Sequence, residues 1–187
     1  MRLYALCDQN LLDSKGITLM DFVKIAKEND AEIIQYRNKE ADDNFIKKQL
    51  IDIRKDFDGI LIVNDLYRLV EFCDGVHLGQ EDLKKIDDDI YKSVNFIREY
   101  ISNDKLLGIS THNKFEVLQA NELDINYIGL GAYRNTSTKN DISHILGDEV
   151  DTLASISKHP VGVIGGVKMD DKFEYVTYHV IGSGLLK

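Results

Sequence analysis

The sequence predicts an α/β fold, a small (β/α)8 TIM barrel. Three observations carry that expectation. Short apolar runs alternate strictly with longer amphipathic stretches along all 187 residues, a pattern that requires parallel strands joined by right-handed helical crossovers. The β units number eight, as many as close such a barrel. Polar residues and glycines also stand just after the strands, at Cys7 and Asp8, Gln35, Asn64 and Asp65, His77, Ser110, Gly131, Gly165 and Gly166, and Gly182 and Ser183. A barrel gathers such positions at one mouth, whereas an open doubly wound sheet spreads them along an edge.

The elements follow in order. Leu3–Cys7 is a wholly apolar first strand. Leu19–Asn29 places Leu19, Phe22, Val23 and Ala26 on one helical face. Glu32–Tyr36 is the second strand, and Asp42–Lys55 a helix with Phe45, Leu50 and Ile53 on its inner side. Gly59–Val63, the short helix Leu66–Phe72 and Asp74–Leu78 supply the third and fourth units. Ile90–Ile101 is a helix carrying Val94, Ile97 and Ile101, followed by the strand Leu106–Ser110. The helix Lys114–Glu122, the strand Tyr127–Leu130, the helix Glu149–Ser157 and the strand Pro160–Ile164 come next. Lys172–Val176 reads as at most a stub, a reduced seventh helix, before the eighth strand Tyr178–Ile181. The expected eighth helix is missing. No linker, low-complexity stretch or charge block divides the chain, so residues 1–187 read as one domain.

Composition narrows the function. There are 23 basic and 32 acidic residues, a net charge of −9. Without a basic face the reading is no nucleic acid and no anionic membrane. A phosphorylated small molecule remains a fitting partner if a few Lys or Arg residues, backbone N–H groups or a divalent metal neutralise it locally. Cys7 and Cys73 are too few for a disulfide scaffold and read as small buried hydrophobes. The apolar run at the N-terminus is too short for a signal peptide or a membrane span, so the expected location is cytoplasmic.

Several strand ends carry chemistry. Gln35, Arg37 and Lys39 alternate in Q-Y-R-N-K and share one side of an extended segment, where two cations and an amide suit a polyphosphate. Asp65 directly follows a buried strand; it is either a ligand-binding carboxylate or, with Asn64, the cap of Leu66–Phe72. Asp82, in G-V-H-L-G-Q-E-D, lies after the neighbouring strand, and two carboxylates so placed suit Mg²⁺, which takes few protein ligands. His112 is either an acid/base or a hydrogen-bonding histidine. Thr136, Thr138 and Lys139 suggest another anion site, as do the turns at Gly165-Gly166 and Gly182-Ser183. His144, His159 and His179 have no metal-ligand spacing and read as structural.

Taken in order, Q-Y-R-N-K, V-N-D, D-G-V-H-L-G-Q-E-D, G-I-S-T-H-N, Y-I-G-L-G…T-S-T-K and V-I-G-G-V resemble the thiamine phosphate synthases and their paralogues, the thiazole tautomerases. The resemblance implies a (β/α)8 barrel and a transferase that joins hydroxymethylpyrimidine diphosphate to a thiazole phosphate, releasing pyrophosphate. It implies that Gln35, Arg37, Lys39 and Asn64 hold the pyrimidine diphosphate, with His77 also on the substrate-binding wall. Asp65 and Asp82 would bind Mg²⁺. Ser110 would touch the pyrimidine, and Lys139 the departing pyrophosphate. Thr136, Thr138, Gly166, Gly182 and Ser183 would hold the thiazole phosphate.

The chain departs from the family pattern at Ala132–Asn135, in a shortened stretch between Gly166 and Gly182, and at Gly182-Ser183, all on the thiazole-phosphate side. Two other readings stand beside the synthase. One is a tautomerase with His112 as acid/base, which would leave Lys39 and Asp82 without a task. The other is a non-catalytic ligand-binding regulator. With no eighth helix, Leu185 and Leu186 are expected to extend an exposed apolar patch, which predicts a homodimer.

Overall fold

The structure is a computed structural model and describes residues 2–135 and 145–186. Eight parallel strands close a barrel in sequence order: β1 (Arg2–Asp8), β2 (Ala31–Arg37), β3 (Ile60–Asn64), β4 (Gly75–Leu78), β5 (Leu106–Thr111), β6 (Tyr127–Leu130), β7 (Val161–Val163) and β8 (Tyr178–Ile181). The ring shuts where β1 pairs with β8, with Arg2 opposite Tyr178 and Ala5 opposite Ile181. Outside lie α1 (Gln9–Lys15), α2 (Leu19–Glu28), α3 (Asp43–Asp56), α4 (Gln80–Lys84), α5 (Ile90–Tyr100), α6 (Lys114–Ala120) and α7 (Glu149–Ser155). Tyr67–Phe72 and Ser183–Leu185 are 3-10 turns.

The core has two compartments, because alternate strand residues face opposite sides of a closed sheet. The larger fills the shell between strands and helices; from β1 it takes Leu3, Ala5 and Cys7. The smaller fills the lumen with Tyr4, Leu6, Ile33, Ile62, Tyr127, Tyr178 and Val180. Two glycines make the lumen roomy enough for its rings. A Cβ at Gly108 would lie 2.1 Å from Tyr127 Cζ, and one at Gly129 would lie 3.0 Å from His77 Cε1.

The structure corrects several expectations. Two helices appear that the periodicity does not announce. The first, α1, starts where Asp8 caps it by accepting from Leu11 N at 3.1 Å, and stops at Gly16, whose φ of 65° is left-handed. The second is α4, only five residues long. In α3 the inner face is Ile46, Leu50 and Ile53, while Phe45 is 45% exposed. The adjacent apolar residues 45 and 46 allow two phases, and the longer buried run selects Ile46.

No helix forms over Lys172–Val176; instead the Glu174 and Tyr175 amides donate to the Asp151 carboxylate at 3.0 and 3.1 Å. The apolar patch expected at Leu185 and Leu186 is also absent. The 3-10 turn folds the segment back, Leu186 is 3% exposed within the shell core, and Lys15 Nζ donates to its carbonyl at 2.9 Å. Leu185 packs partly buried against the same core.

Candidate active site

The strand ends gather at one mouth, as the barrel requires, around a cavity of about 590 Å³. Gln35, Arg37, Lys39, Asn64, Asp65, His77, Asp82, Ser110, His112, Gly166, Gly182 and Ser183 all line it. Thr136, Thr138 and Lys139 lie outside the described residues.

The β2 end shows why alternation works there. Gln35, Arg37 and Lys39 point inward, while Tyr36 turns outward and donates to Gln9 Oε1 at 2.9 Å. Arg37 stands opposite Asp8 in register and donates to its buried carboxylate through Nη1. That contact cancels part of its charge but fixes the guanidinium, whose other donors have no protein partner among the described residues. A pinned fork with free donors suits a phosphate oxygen.

Next to it, Asp65 occupies the left-handed region at φ 61° and donates its amide to His77 O at 2.8 Å. A non-glycine residue held there costs about 1–3 kcal/mol. The alternative role as a helix cap fails: the cap position of the 3-10 turn Tyr67–Phe72 is Leu66, and no side chain caps it. Instead Asp65 Oδ2 accepts from Asn64 Nδ2 at 2.6 Å and lies 3.7 Å from Lys39 Nζ. Burial, and then the negative charge of Asp82, raise its carboxyl to about 6. Asp82 sits in the first turn of α4, with Lys85 Nζ at 2.7 Å.

Two carboxylates forced together with one pushed upward form a donor set that wants a cation. Hard oxygen ligands of this number fit Mg²⁺, which keeps waters and phosphate oxygens in its remaining positions. Among the described residues no cluster of three or more His, Cys, Asp or Glu offers a full cage.

Across β4, β5 and β6 the lining becomes a neutral hydrogen-bonded wall. His77 Nδ1 lies 3.1 Å from Tyr127 Oη and its Nε2 3.1 Å from Ser110 Oγ. Burial, and then the charge of His112, lower its imidazole to about 4, so it is neutral near pH 7. His112 packs on Glu116, with Nδ1 2.9 Å from Oε2 and its amide donating there at 2.8 Å. Its imidazole is thereby oriented at the cavity wall, as the hydrogen-bonding reading expects.

The last two strands contribute backbone. Gly165 and Gly166 have φ of 95° and 62°, and a Cβ at either would strike Ala132 or Arg134 within 2.9 Å. Arg134 donates to Gly166 O at 3.2 Å and to both oxygens of Asp171 at 2.7 and 2.8 Å. The turn after β6 thus clamps the β7 turn.

Sequence reasoning gave no role to Tyr4, Tyr127, Asp8 or Gln80, of which only Asp8 was named as a strand-end residue. The first three brace site residues from the lumen or from β1, and Gln80 Nε2 donates to Ser110 O at 2.6 Å. Asp8, a charged residue at the end of an apolar strand, was the one readable signal.

A family model described as thiamine monophosphate synthase matches residues 3–182. The chain belongs to this family. Among relatives, it is 32% identical to the thiamine-phosphate synthase of Lawsonia intracellularis, over 94% of this chain and 79% of that one. It is 33% identical to that of Persephonella marina, over 89% of this chain and 77% of the other. The fold is that of a solved thiamine phosphate pyrophosphorylase from Pyrococcus furiosus, with a TM-score of 0.76 and 24% identity over 97% of this chain and 85% of that one. Family membership agrees with the motif order read from the strands, and the site residues of β2 to β5 stand together in one cavity.

Proposed function

We propose that the protein is a thiamine-phosphate synthase, a transferase joining hydroxymethylpyrimidine diphosphate to a thiazole phosphate. The observation that carries this is that two sets of groups whose chemistry suits anions line one cavity. One is made of side chains on β2, β3 and α4; the other is made of backbone turns after β7 and β8. A reaction with two phosphorylated substrates needs both.

In the step, the bond between the pyrimidine methylene and the diphosphate oxygen breaks. Its electron pair leaves with pyrophosphate, and the thiazole nitrogen lone pair forms the new C–N bond. Arg37 and Lys39 bind the diphosphate, and Asp8 keeps Arg37 aimed. Ser110 and Gln35 orient the pyrimidine. The N–H groups near Gly166, Gly182 and Ser183 hold the thiazole phosphate. Asp65 and Asp82 would hold Mg²⁺, which when bound supplies charge neutralisation for the leaving group. Thr136, Thr138 and Lys139 take the roles the family resemblance assigns them.

Thiazole isomerisation is the second reading, supported by Glu116 holding the His112 imidazole at the cavity wall. It gives no task to Lys39 and Asp82. A pyrophosphate-release assay with both substrates, with and without Mg²⁺, decides. Mg²⁺-dependent release is expected; isomerisation without release overturns the synthase.

We place the protein in the cytoplasm; among the described residues no helix is long and apolar enough to cross a membrane. The homodimer is proposed on another face than the last residues. Phe96 and Tyr100 are 44% and 54% exposed and pack edge-on to Tyr67. Such a patch of exposed aromatics suits a second copy.

A further inference from the structure

The hydrogen bonds behind the pocket form one unbroken line, and their donors can be assigned. Asn64 Nδ2 donates to the Asp65 carboxylate at 2.6 Å, because the amide oxygen would meet a carboxylate oxygen there. Asn64 Oδ1 therefore faces Gln35 and accepts from Gln35 Nε2 at 2.7 Å. Gln35 Oε1 is then turned to Tyr4 and accepts its hydroxyl proton at 2.6 Å. Tyr4 has only one proton, so across the 3.0 Å contact Tyr127 is the donor and Tyr4 Oη the acceptor. Tyr127 has now used its own proton. At 3.1 Å it must accept from His77, so Nδ1 carries the hydrogen. The opposite tautomer would leave the two tyrosine oxygens facing each other with no proton between them. A neutral His77 with Nδ1–H has a bare Nε2, and Ser110 Oγ–H donates to it at 3.1 Å.

We propose that Tyr4 and Tyr127 are positioning residues: with Gln35 they lock His77 as the Nδ1–H tautomer, and so fix Ser110 as a hydrogen-bond acceptor toward the ligand. The hydroxyl proton is spent on His77, and only lone pairs remain for the cavity. The pyrimidine must therefore present an N–H donor to Ser110, and an analogue offering an acceptor or a methyl group there is rejected. Donor–acceptor mismatch in a buried site discriminates strongly, because it leaves a polar group unpaired. This inference rests on the synthase reading for the identity of the ligand, but not for the tautomer.

The test has two arms. Nitrogen-15 NMR of the ligand-free protein at pH 8 reads the His77 tautomer directly. Nδ1–H is expected in the parent, and Tyr127→Phe, which removes the acceptor at Nδ1, should move the ring toward Nε2–H. Calorimetry then compares an amino-bearing pyrimidine diphosphate with its des-amino analogue. The amine should bind about tenfold more tightly to the parent, and that preference should shrink in Tyr127→Phe while the KM for thiazole phosphate stays unchanged. Tyr4→Phe, which breaks the line one step further away, should act in the same direction. Nε2–H in the parent, or an amine preference that survives both substitutions, overturns the proposal. A parent with Nδ1–H and no affinity for either diphosphate sinks the synthase reading and leaves the tautomer lock standing.

Discussion

Asp65 and His77 titrate in opposite senses on one cavity wall. Asp65 is raised to about 6 from 3.8, so the native state favours its proton and loses stability as pH climbs through 6. His77 is lowered to about 4 from 6.5, so the native state resists its proton and loses stability as pH falls through 4. Each amounts to roughly 3 kcal/mol at most, over the same window, and the two oppose. We expect urea midpoints of the metal-free protein to reveal this on substitution. His77→Gln should leave stability falling as pH rises from 4 to 6. Asp65→Asn should leave it rising from 4 to 6.5. Parallel profiles in the parent and both variants would refute the opposition. Asp82→Asn removes the charge facing Asp65 and one candidate metal ligand. Turnover should drop by about two orders of magnitude or more with no loss in Tm, because α4 buries only Leu83. Full Mg²⁺-dependent turnover in that variant would count against the metal assignment.

At the scale of elements, the β7 turn depends on a side chain from the turn after β6. Asp171 receives both Arg134 donors, and Arg134 in turn holds Gly166 O. Asp171→Ala should raise the KM for thiazole phosphate by about tenfold and leave that for the pyrimidine diphosphate unchanged, because the diphosphate side shares no partner with this clamp. Equal effects on both constants would mean the clamp serves the whole mouth. Elements also show what a sequence reveals. The strands were legible because buried parallel strands are unbroken apolar runs, and the site because its residues follow those runs. By contrast, α1 and α4 have seven and five residues, too few for a helical period to register. Phe45 beside Ile46 could be phased either way. Whether Asp65 capped a turn or faced the cavity depended on its backbone angle, which residue order does not contain. Tyr4 and Tyr127 were hidden because an aromatic in an apolar strand reads as core until its hydroxyl's neighbours are known.

For the molecule as a whole, the seam between β8 and α1 is closed by Leu186 and its contact with Lys15. Leu186→Asp should lower stability by about 3 kcal/mol, the scale of a buried charge without a partner, and leave the oligomeric mass unchanged by light scattering. Phe96→Asp should do the reverse, and a mass that ignores it would remove that face from the dimer. The lumen line has a wider consequence. It takes one polar side chain from each of six consecutive strands: Tyr4, Gln35, Asn64, His77, Ser110 and Tyr127. The other two strands line the cavity with the glycine turns that follow them. Change is therefore unevenly permitted around the ring. Along six strands a substitution at one position alters the proton assignment of its neighbours, so these positions can only change together. Along the remaining arc side chains can drift singly as long as the turns keep their shape.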